Sequence, residues 1–343
     1  MDSPAIRNVI RVNSSIPAPE SVWKAELAAS FTRIEDLLGY LELPAQPSGR
    51  GGEAAGRFAF RVTAAFAGRM QKGDPDDPLL RQVLPVGEEL QDRPGFSADP
   101  VGDLRAVAVP GLLHKYPGRA LLIATGACAI NCRYCFRREF PYAQAQLSRS
   151  REAEALAHVA ADASIGEVIL SGGDPLVLDD ARLSALVEAI AAIPHVRRLR
   201  IHSRLPIVLP SRITAGLVRI LGGTRLKPVL VVHANHANEV DGGVGQALSR
   251  LRQAGVVLLN QSVLLKGVND SVEDLVGLSE ILFDHGVVPY YLHVLDKARG
   301  TGHFDLAEET ALALWEGLRC RVPGYLVPRL VREVAGAPYK TLV

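Results

Sequence analysis

The sequence predicts an α/β fold: a partial (β/α)6 barrel of the TIM type behind an N-terminal, mostly helical region. Three observations carry that prediction. From about residue 120 onward, short apolar runs alternate with longer amphipathic stretches, as in chains of β/α units. The runs are apolar on consecutive residues, as in Val229-Leu230-Val231-Val232, which suits strands buried on both faces of a parallel sheet. Six such units can be found, too few for the eight that close a full barrel. A doubly wound sheet is the runner-up.

Taken in order, residues 1–112 read as one region and 113–343 as the barrel. Ser21 is placed to cap a helix that carries Trp23, Leu27, Ile34, Leu37 and Leu38 on one side and ends near Gly39 and Pro44. Residues 47–52 read as a loop, 57–69 as a second helical stretch, and 73–78 as an Asp-Pro turn. No chemical motif stands out here, and packing against the barrel is the expected role. Strands are expected at 120–124, 167–171, 197–202, 228–233, 256–264 and 287–294. Helices are expected near 151–163, 179–192, 211–221, 243–254, 271–285 and 305–319.

The 343 residues carry a net charge of +1, which gives no argument for a nucleic-acid or membrane-surface partner. The first residues lack the basic-then-apolar profile of a secretory signal, and no apolar run is long enough to span a bilayer. Four cysteines, three of them clustered, do not make a secreted disulfide framework. A cytoplasmic protein is expected.

The clustered cysteines are Cys128, Cys132 and Cys135, spaced C-x3-C-x2-C on a loop that follows the first barrel strand. In parallel α/β folds, active sites are built at the strands' C-terminal ends. Thiolates this close can converge on one soft metal centre. Three of them can hold three irons of a cubane cluster and leave the fourth iron open to a ligand. A zinc site would need a fourth ligand, and the nearest histidines, His114 and His158, lie in no ligand pattern. A disulfide would leave one thiol over. After the second strand stands Ser171-Gly172-Gly173-Asp174-Pro175. Its glycines permit close backbone approach to a ligand, and Asp174 is suited to hold an ammonium group, although alone this is an ordinary turn.

The cysteine spacing with Tyr134 before the last cysteine, followed by Gly-Gly-Asp after the next strand, resembles the radical S-adenosylmethionine superfamily. Lys115-Tyr-Pro-Gly-Arg119, Cys135-Phe-Arg137-Arg138, His202-Ser-Arg-Leu-Pro206, His233-Ala-Asn-His236, Asn260-Gln261 and Pro289-Tyr-Tyr291 are similar to motifs of the lysine 2,3-aminomutase family. Residues 131–142 and 73–78 most resemble the branch of it that serves β-lysylation of elongation factor P. The resemblance spans nearly the whole chain.

It implies a [4Fe-4S] cluster on Cys128, Cys132 and Cys135, with S-adenosylmethionine on the open iron and pyridoxal 5′-phosphate as third cofactor. It also implies a radical 1,2-amino shift that turns L-lysine into (R)-β-lysine, an isomerase reaction. Lys340 matches the lysine that carries the pyridoxal phosphate, although from the residues alone a lysine so near the end reads as solvated. Lys115 and Arg119 match basic groups for that cofactor. Tyr134, Gly172, Gly173, Asp174, His233 and Gln261 match S-adenosylmethionine contacts. Arg137 matches the grip on the substrate carboxylate, for which a guanidinium fork is suited. Asp296 and Glu333 match acids for the distal ammonium of lysine. Expected partners are L-lysine, a reductant for the cluster, and, functionally, elongation factor P with its β-lysine ligase. A homo-oligomer is open, but the tetramer of the free-lysine mutases is not expected, because the C-terminal extension used in it is missing. β-Lysine for another pathway, a glutamate aminomutase, and an iron–sulfur module without catalysis are the alternatives. Arg133, Arg138, Arg149 and Arg151 read as a solvated rim, and Cys320 and Trp315 as core.

Overall fold

The computed structural model describes residues 19–44, 50–145 and 147–343. Its centre is one open, ten-stranded sheet in sequential order. The strands are β1 (Val107–Val109), β2 (Leu112–Tyr116), β3 (Arg119–Thr125), β4 (Glu167–Gly172), β5 (Arg198–Ser203), β6 (Lys227–Val232), β7 (Val257–Val263), β8 (Val288–His293), β9 (Arg329–Arg332) and β10 (Thr341–Leu342). β3 through β9 run parallel. β1 and β2 extend one edge antiparallel, and β10 closes the other edge antiparallel to β9. The sheet does not close on itself, so the barrel is partial, as expected.

Each expected barrel strand lies within a residue or so of β3 to β8. The crossover helices are Arg149–Ala161, Asp180–Ala191, Ala215–Gly223, Gly242–Gln253, Val272–Asp284 and Glu308–Arg319. All but the last start on a side-chain cap: Ser148, Asp179, Thr214, Asp241 and Ser271 each accept a hydrogen bond from a backbone N–H in the first helical turn. Such caps satisfy donors that a helix start leaves free. The barrel strands carry the core: Val168, Leu170, Leu199, Leu230 and Val232 are fully buried, which explains their unbroken apolar runs.

The N-terminal region departs from expectation in detail. The helix expected from Ser21 onward is two helices, Glu20–Ala28 and Ile34–Tyr40. The first is preceded by Pro19 rather than capped by Ser21. Phe31, between the two, forms an antiparallel bridge with Val62, and that pairing breaks the helical path. The same bridge interrupts the stretch expected at 57–69: one helix, Arg50–Arg57, ends where that stretch begins, and only Ala64–Ala67 is α-helical within it. Of the loop expected at 47–52, residues 47–49 lie outside the described residues and Arg50 opens a helix. The turn at 73–78 is present, and Asp77 caps the helix that follows. Trp23, Leu37, Leu41, Phe66 and Leu79 pack into the same core as the barrel's Leu205, Val208 and Leu217. The boundary drawn at residue 112 falls on the first residue of β2. Among the described residues no helix is long and apolar enough to cross a membrane.

Two readings of single residues are corrected. Cys320 is exposed at the end of the last crossover helix, not in the core. Arg133 and Arg138 are not a solvated rim: Arg133 is fully buried, and both are paired as described below. The Arg149 side chain lies outside the described residues.

Candidate active site

One cavity of about 270 Å³ opens at the C-terminal ends of the parallel strands. It is lined by every residue singled out from the sequence: Cys128, Cys132, Cys135, Tyr134, Gly172, Gly173, Asp174, His233, Gln261, Lys115, Arg119, Arg137, Asp296, Glu333 and Lys340.

The cysteine loop leaves β3 and is braced from outside by the N-terminal region. Asn131 N–H donates to Arg61 O at 3.0 Å, and Arg133 N–H to Gln82 O at 2.8 Å. Glu89 is buried and accepts from both loop arginines, from Arg133 Nε at 2.8 Å and from Arg138 Nη2 at 2.6 Å. The three thiols are free. Burial and the neighbouring carboxylate and thiols push Cys128 well above its ordinary value, and burial likewise pushes Cys135 up to about 11. Left alone, Cys128 and Cys135 are neutral thiols, and a metal that binds them displaces their protons. No group of His, Cys, Asp or Glu among the described residues is gathered tightly enough for a single ion. Thiols that each take a different corner of an iron cube need no such crowding, so the set fits a cluster better than zinc.

The Gly-Gly-Asp turn docks directly on this loop. Gly173 N–H donates to Thr125 O at 2.7 Å and Asp174 N–H to Ala127 O at 2.8 Å. Gly172 has a φ of 117°, open to glycine and costly for other residues. A Cβ on Gly173 would stand 2.3 Å from Ala127 O, so only glycine allows this approach. Gly173→Ala should therefore push the two loops apart, cost about 1–3 kcal/mol, and lower iron content at equal protein concentration. Full iron retention in a stably folded variant would count against the docking. Asp174 is occupied by the protein itself: its carboxylate accepts from Ser203 Oγ at 2.7 Å, Arg204 N–H at 2.7 Å, Leu176 N–H at 3.1 Å and Leu205 N–H at 3.2 Å. It ties the turn to the end of β5. Burial pushes its carboxyl up to about 6 despite these donors.

A chain of alternating charges crosses the cavity. Arg137 Nε donates to Asp103 Oδ2 at 2.8 Å, and Lys115 Nζ reaches Asp103 Oδ1 at 3.1 Å and Glu333 Oε1 at 2.8 Å. Lys340 Nζ lies 2.7 Å from Glu333 Oε2, and the Tyr116 hydroxyl also donates to Glu333. Burial alone would raise the Glu333 carboxyl, but the Lys340 and Lys115 cations outweigh it and hold it down at about 2. Lys340 is not a loose terminal lysine. It directly precedes β10, whose Thr341 and Leu342 pair with Arg332 and Val331 of β9, and Val343 N–H donates to Leu330 O at 3.2 Å. Glu333 directly follows β9, so this antiparallel pairing turns acid and lysine toward each other. Asp296, beyond β8, has no salt-bridge partner among the described residues, and burial pushes it up to about 7. Arg119 stacks its guanidinium over Tyr116, 4.6 Å from the ring centre.

His202 and His233, at the ends of β5 and β6, meet edge to face with Nδ1 and Nε2 3.3 Å apart. Burial lowers both, His233 to about 4, so both are neutral at pH 7. The buried Gln261 Oε1 and His293 Nε2 have no hydrogen-bond partner among the described residues. Such atoms in a cavity wall call for a polar ligand, so the residues present fit organic cofactors as well as a cluster. Sequence reading missed Asp103, Tyr116, His202, Arg204 and His293. Asp103 belongs to a region expected only to pack, and nothing in its local sequence distinguishes it. Arg204 and His202 lie in a motif that was noted without assigning them work.

Residues 122–214 match the model of the Radical SAM superfamily. The chain is 51% identical over 331 residues to a protein of Escherichia coli (strain K12) named L-lysine 2,3-aminomutase, covering 96% of each chain. It is 45% identical to the L-lysine 2,3-aminomutase of Haemophilus influenzae, covering 94% of this chain and 96% of the relative. The Clostridium subterminale L-lysine 2,3-aminomutase is 34% identical, over 94% of this chain and 77% of that one. Sequence, open barrel and cavity lining agree: the chain belongs to the L-lysine 2,3-aminomutase family of radical S-adenosylmethionine isomerases, whose cofactors are a [4Fe-4S] cluster, S-adenosylmethionine and pyridoxal phosphate.

Proposed function

We propose that this chain converts L-lysine to (R)-β-lysine and that the product serves β-lysylation of elongation factor P, with a separate ligase making the attachment. One observation carries the lysine reading: Cys128, Cys132, Cys135 and Lys340 line the same cavity as a guanidinium, Arg137, and two acids, Asp296 and Glu333. When bound, the cluster with S-adenosylmethionine supplies a hydrogen-abstracting radical, and pyridoxal phosphate supplies the π bond across which nitrogen can shift.

The residues do the rest. The three cysteine sulfurs hold the cluster. Gly172 and Gly173 let backbone approach S-adenosylmethionine, with Tyr134, Asp174, His233 and Gln261 around it. Lys340 would carry the pyridoxal phosphate, with Arg119 and the Lys115 cation as the positive charges that would balance its phosphate. Arg137 takes the substrate carboxylate as a fork. Asp296 and Glu333 take the distal ammonium. Two acids disfavour an anionic side chain such as that of glutamate, whose burial beside them would leave like charges unpaired. Within the region 1–112, the described residues 50–112 brace the cysteine loop and supply Asp103, and residues 113–343 form the barrel with its lysine-bearing end. The link to elongation factor P rests on the motifs at 73–78 and 131–142.

Asp296 gives a pH signature. An ammonium needs the carboxylate, and burial pushes this carboxyl up to about 7 in the ligand-free cavity. The KM for L-lysine should therefore rise as pH falls below about 7, approaching tenfold per unit. For the ligand-free fold the sign is opposite to the usual acid. The folded chain keeps a proton that the unfolded chain sheds near pH 4, so this contribution favours the fold at low pH and fades as pH rises through about 7. Asp296→Asn should remove the KM step; a wild-type KM that is flat from pH 6 to 8 would contradict the role.

The direct test is anaerobic incubation of cofactor-loaded protein with L-lysine, S-adenosylmethionine and reductant. β-Lysine should accumulate, and its absence with both cofactors fully bound would overturn the reading. Comparing elongation factor P from cells with and without the active chain tests the second half: the β-lysyl mass should disappear when Lys340 is replaced.

A further inference from the structure

Arg204 follows β5 directly and is 5% exposed. Its Nη1 donates to Cys132 Sγ at 2.7 Å. Its Nη2 donates to Gln82 Oε1 at 2.7 Å and to Glu239 Oε2 at 3.0 Å, and its backbone N–H to Asp174 Oδ2 at 2.7 Å. Glu239 is fully buried and is fixed in turn by Asn235 N–H at 2.8 Å and Gln82 Nε2 at 3.1 Å. The guanidinium also lies against Phe66 and Tyr134, 5.1 and 5.6 Å from their ring centres. A cation held on so many sides cannot swing away from the sulfur.

Hydrogen bonds to ligand sulfurs and local charge are levers on the reduction potential of an iron–sulfur cluster. One-electron reduction adds negative charge to the cluster and its sulfurs. A fixed, dry cation donating to one of those sulfurs stabilises the reduced state more than the oxidised one. We propose that Arg204 is a positioning residue that fixes the Cys132 thiolate and holds the cluster's potential less negative than the three cysteines alone would. The proposal rests on the reading of Cys132 as a cluster ligand.

The test is a redox titration of reconstituted protein, followed by electron paramagnetic resonance, without S-adenosylmethionine or substrate. Arg204→Gln should shift the oxidised-to-reduced ratio about tenfold at fixed potential, which for one electron is a midpoint more negative by about 59 mV. Arg204→Lys keeps the charge and should recover at least half of that shift. Because Arg204→Gln leaves Glu239 buried without its cation, Arg204→Gln/Glu239→Gln is the companion: it should fold, keep its iron and show the same direction. Unchanged midpoints in the iron-loaded variants would assign Arg204 to the scaffold and overturn the proposal. So would an unchanged midpoint with weakened S-adenosylmethionine binding, which would make Arg204 a cofactor contact instead. A wild-type protein that takes up no [4Fe-4S] cluster would overturn the cluster assignment itself, a failure distinct from an unmoved potential.

Discussion

Lys340→Ala should abolish turnover, by roughly 10³-fold or more, and remove covalently held pyridoxal phosphate while leaving iron content unchanged. Two lysines line the cavity, Lys115 and Lys340, and the geometry separates them. The Lys115 ammonium is engaged by Val101 O at 2.6 Å, Asp103 at 3.1 Å and Glu333 at 2.8 Å. Three acceptors use all of its donors and hold it charged. Lys340 has one acid partner and stands on a short strand pairing at the cavity mouth. With fewer partners to leave, it can reach an aldehyde with less rearrangement. Borohydride reduction of the loaded protein followed by peptide mass spectrometry should find the pyridoxyl group on residue 340. Finding it on residue 115, or on the alanine variant, would contradict the assignment.

Glu89→Ala should be the most destabilising single change outside the barrel core, by about 3–5 kcal/mol, since it breaks a buried ion pair from one side. It strands Arg133, which is fully buried, and Arg138, whose side chain is 5% exposed. Arg133 also donates to Phe58 O and Ala59 O at 2.8 and 3.2 Å, but no carboxylate replaces Glu89. Both arginines flank the last two cysteines, so the loop should lose its shape before the barrel unfolds. Urea titration of the iron-free protein measures the stability, and iron content after reconstitution measures the loop. Glu89→Gln keeps the acceptor oxygen and should lose less. Equal stability of wild type and Glu89→Ala would show that the N-terminal region does not brace the loop.

The barrel was legible because its signals are local. Unbroken apolar runs such as 229–232 mark doubly covered strands, and the longer amphipathic stretches between them mark the crossover helices. β9 and β10 were not legible: four and two residues long, they show no periodicity of their own, and only pairing makes them strands. The helix breaks near Phe31 and Val62 have the same cause, a bridge between residues distant in sequence. For the site, cysteine spacing and the family resemblance together pointed to residues that do share one cavity. What it could not reveal is who holds them. Asp103 and Glu89 are unremarkable acids in sequence, and become informative only when folding buries them against Arg137, Lys115 and Arg133. Arg133 itself, a charge beside a cysteine, reads as solvated until its burial is seen.

The joining of the cysteine loop and Lys340 in one cavity can be tested by isotope transfer. With L-lysine deuterated at the β-carbon, deuterium should pass into the S-adenosylmethionine pool during turnover, because both reactants then lie within reach of one another. β-Lysine formed with all of its deuterium retained and an unlabelled S-adenosylmethionine pool would contradict it.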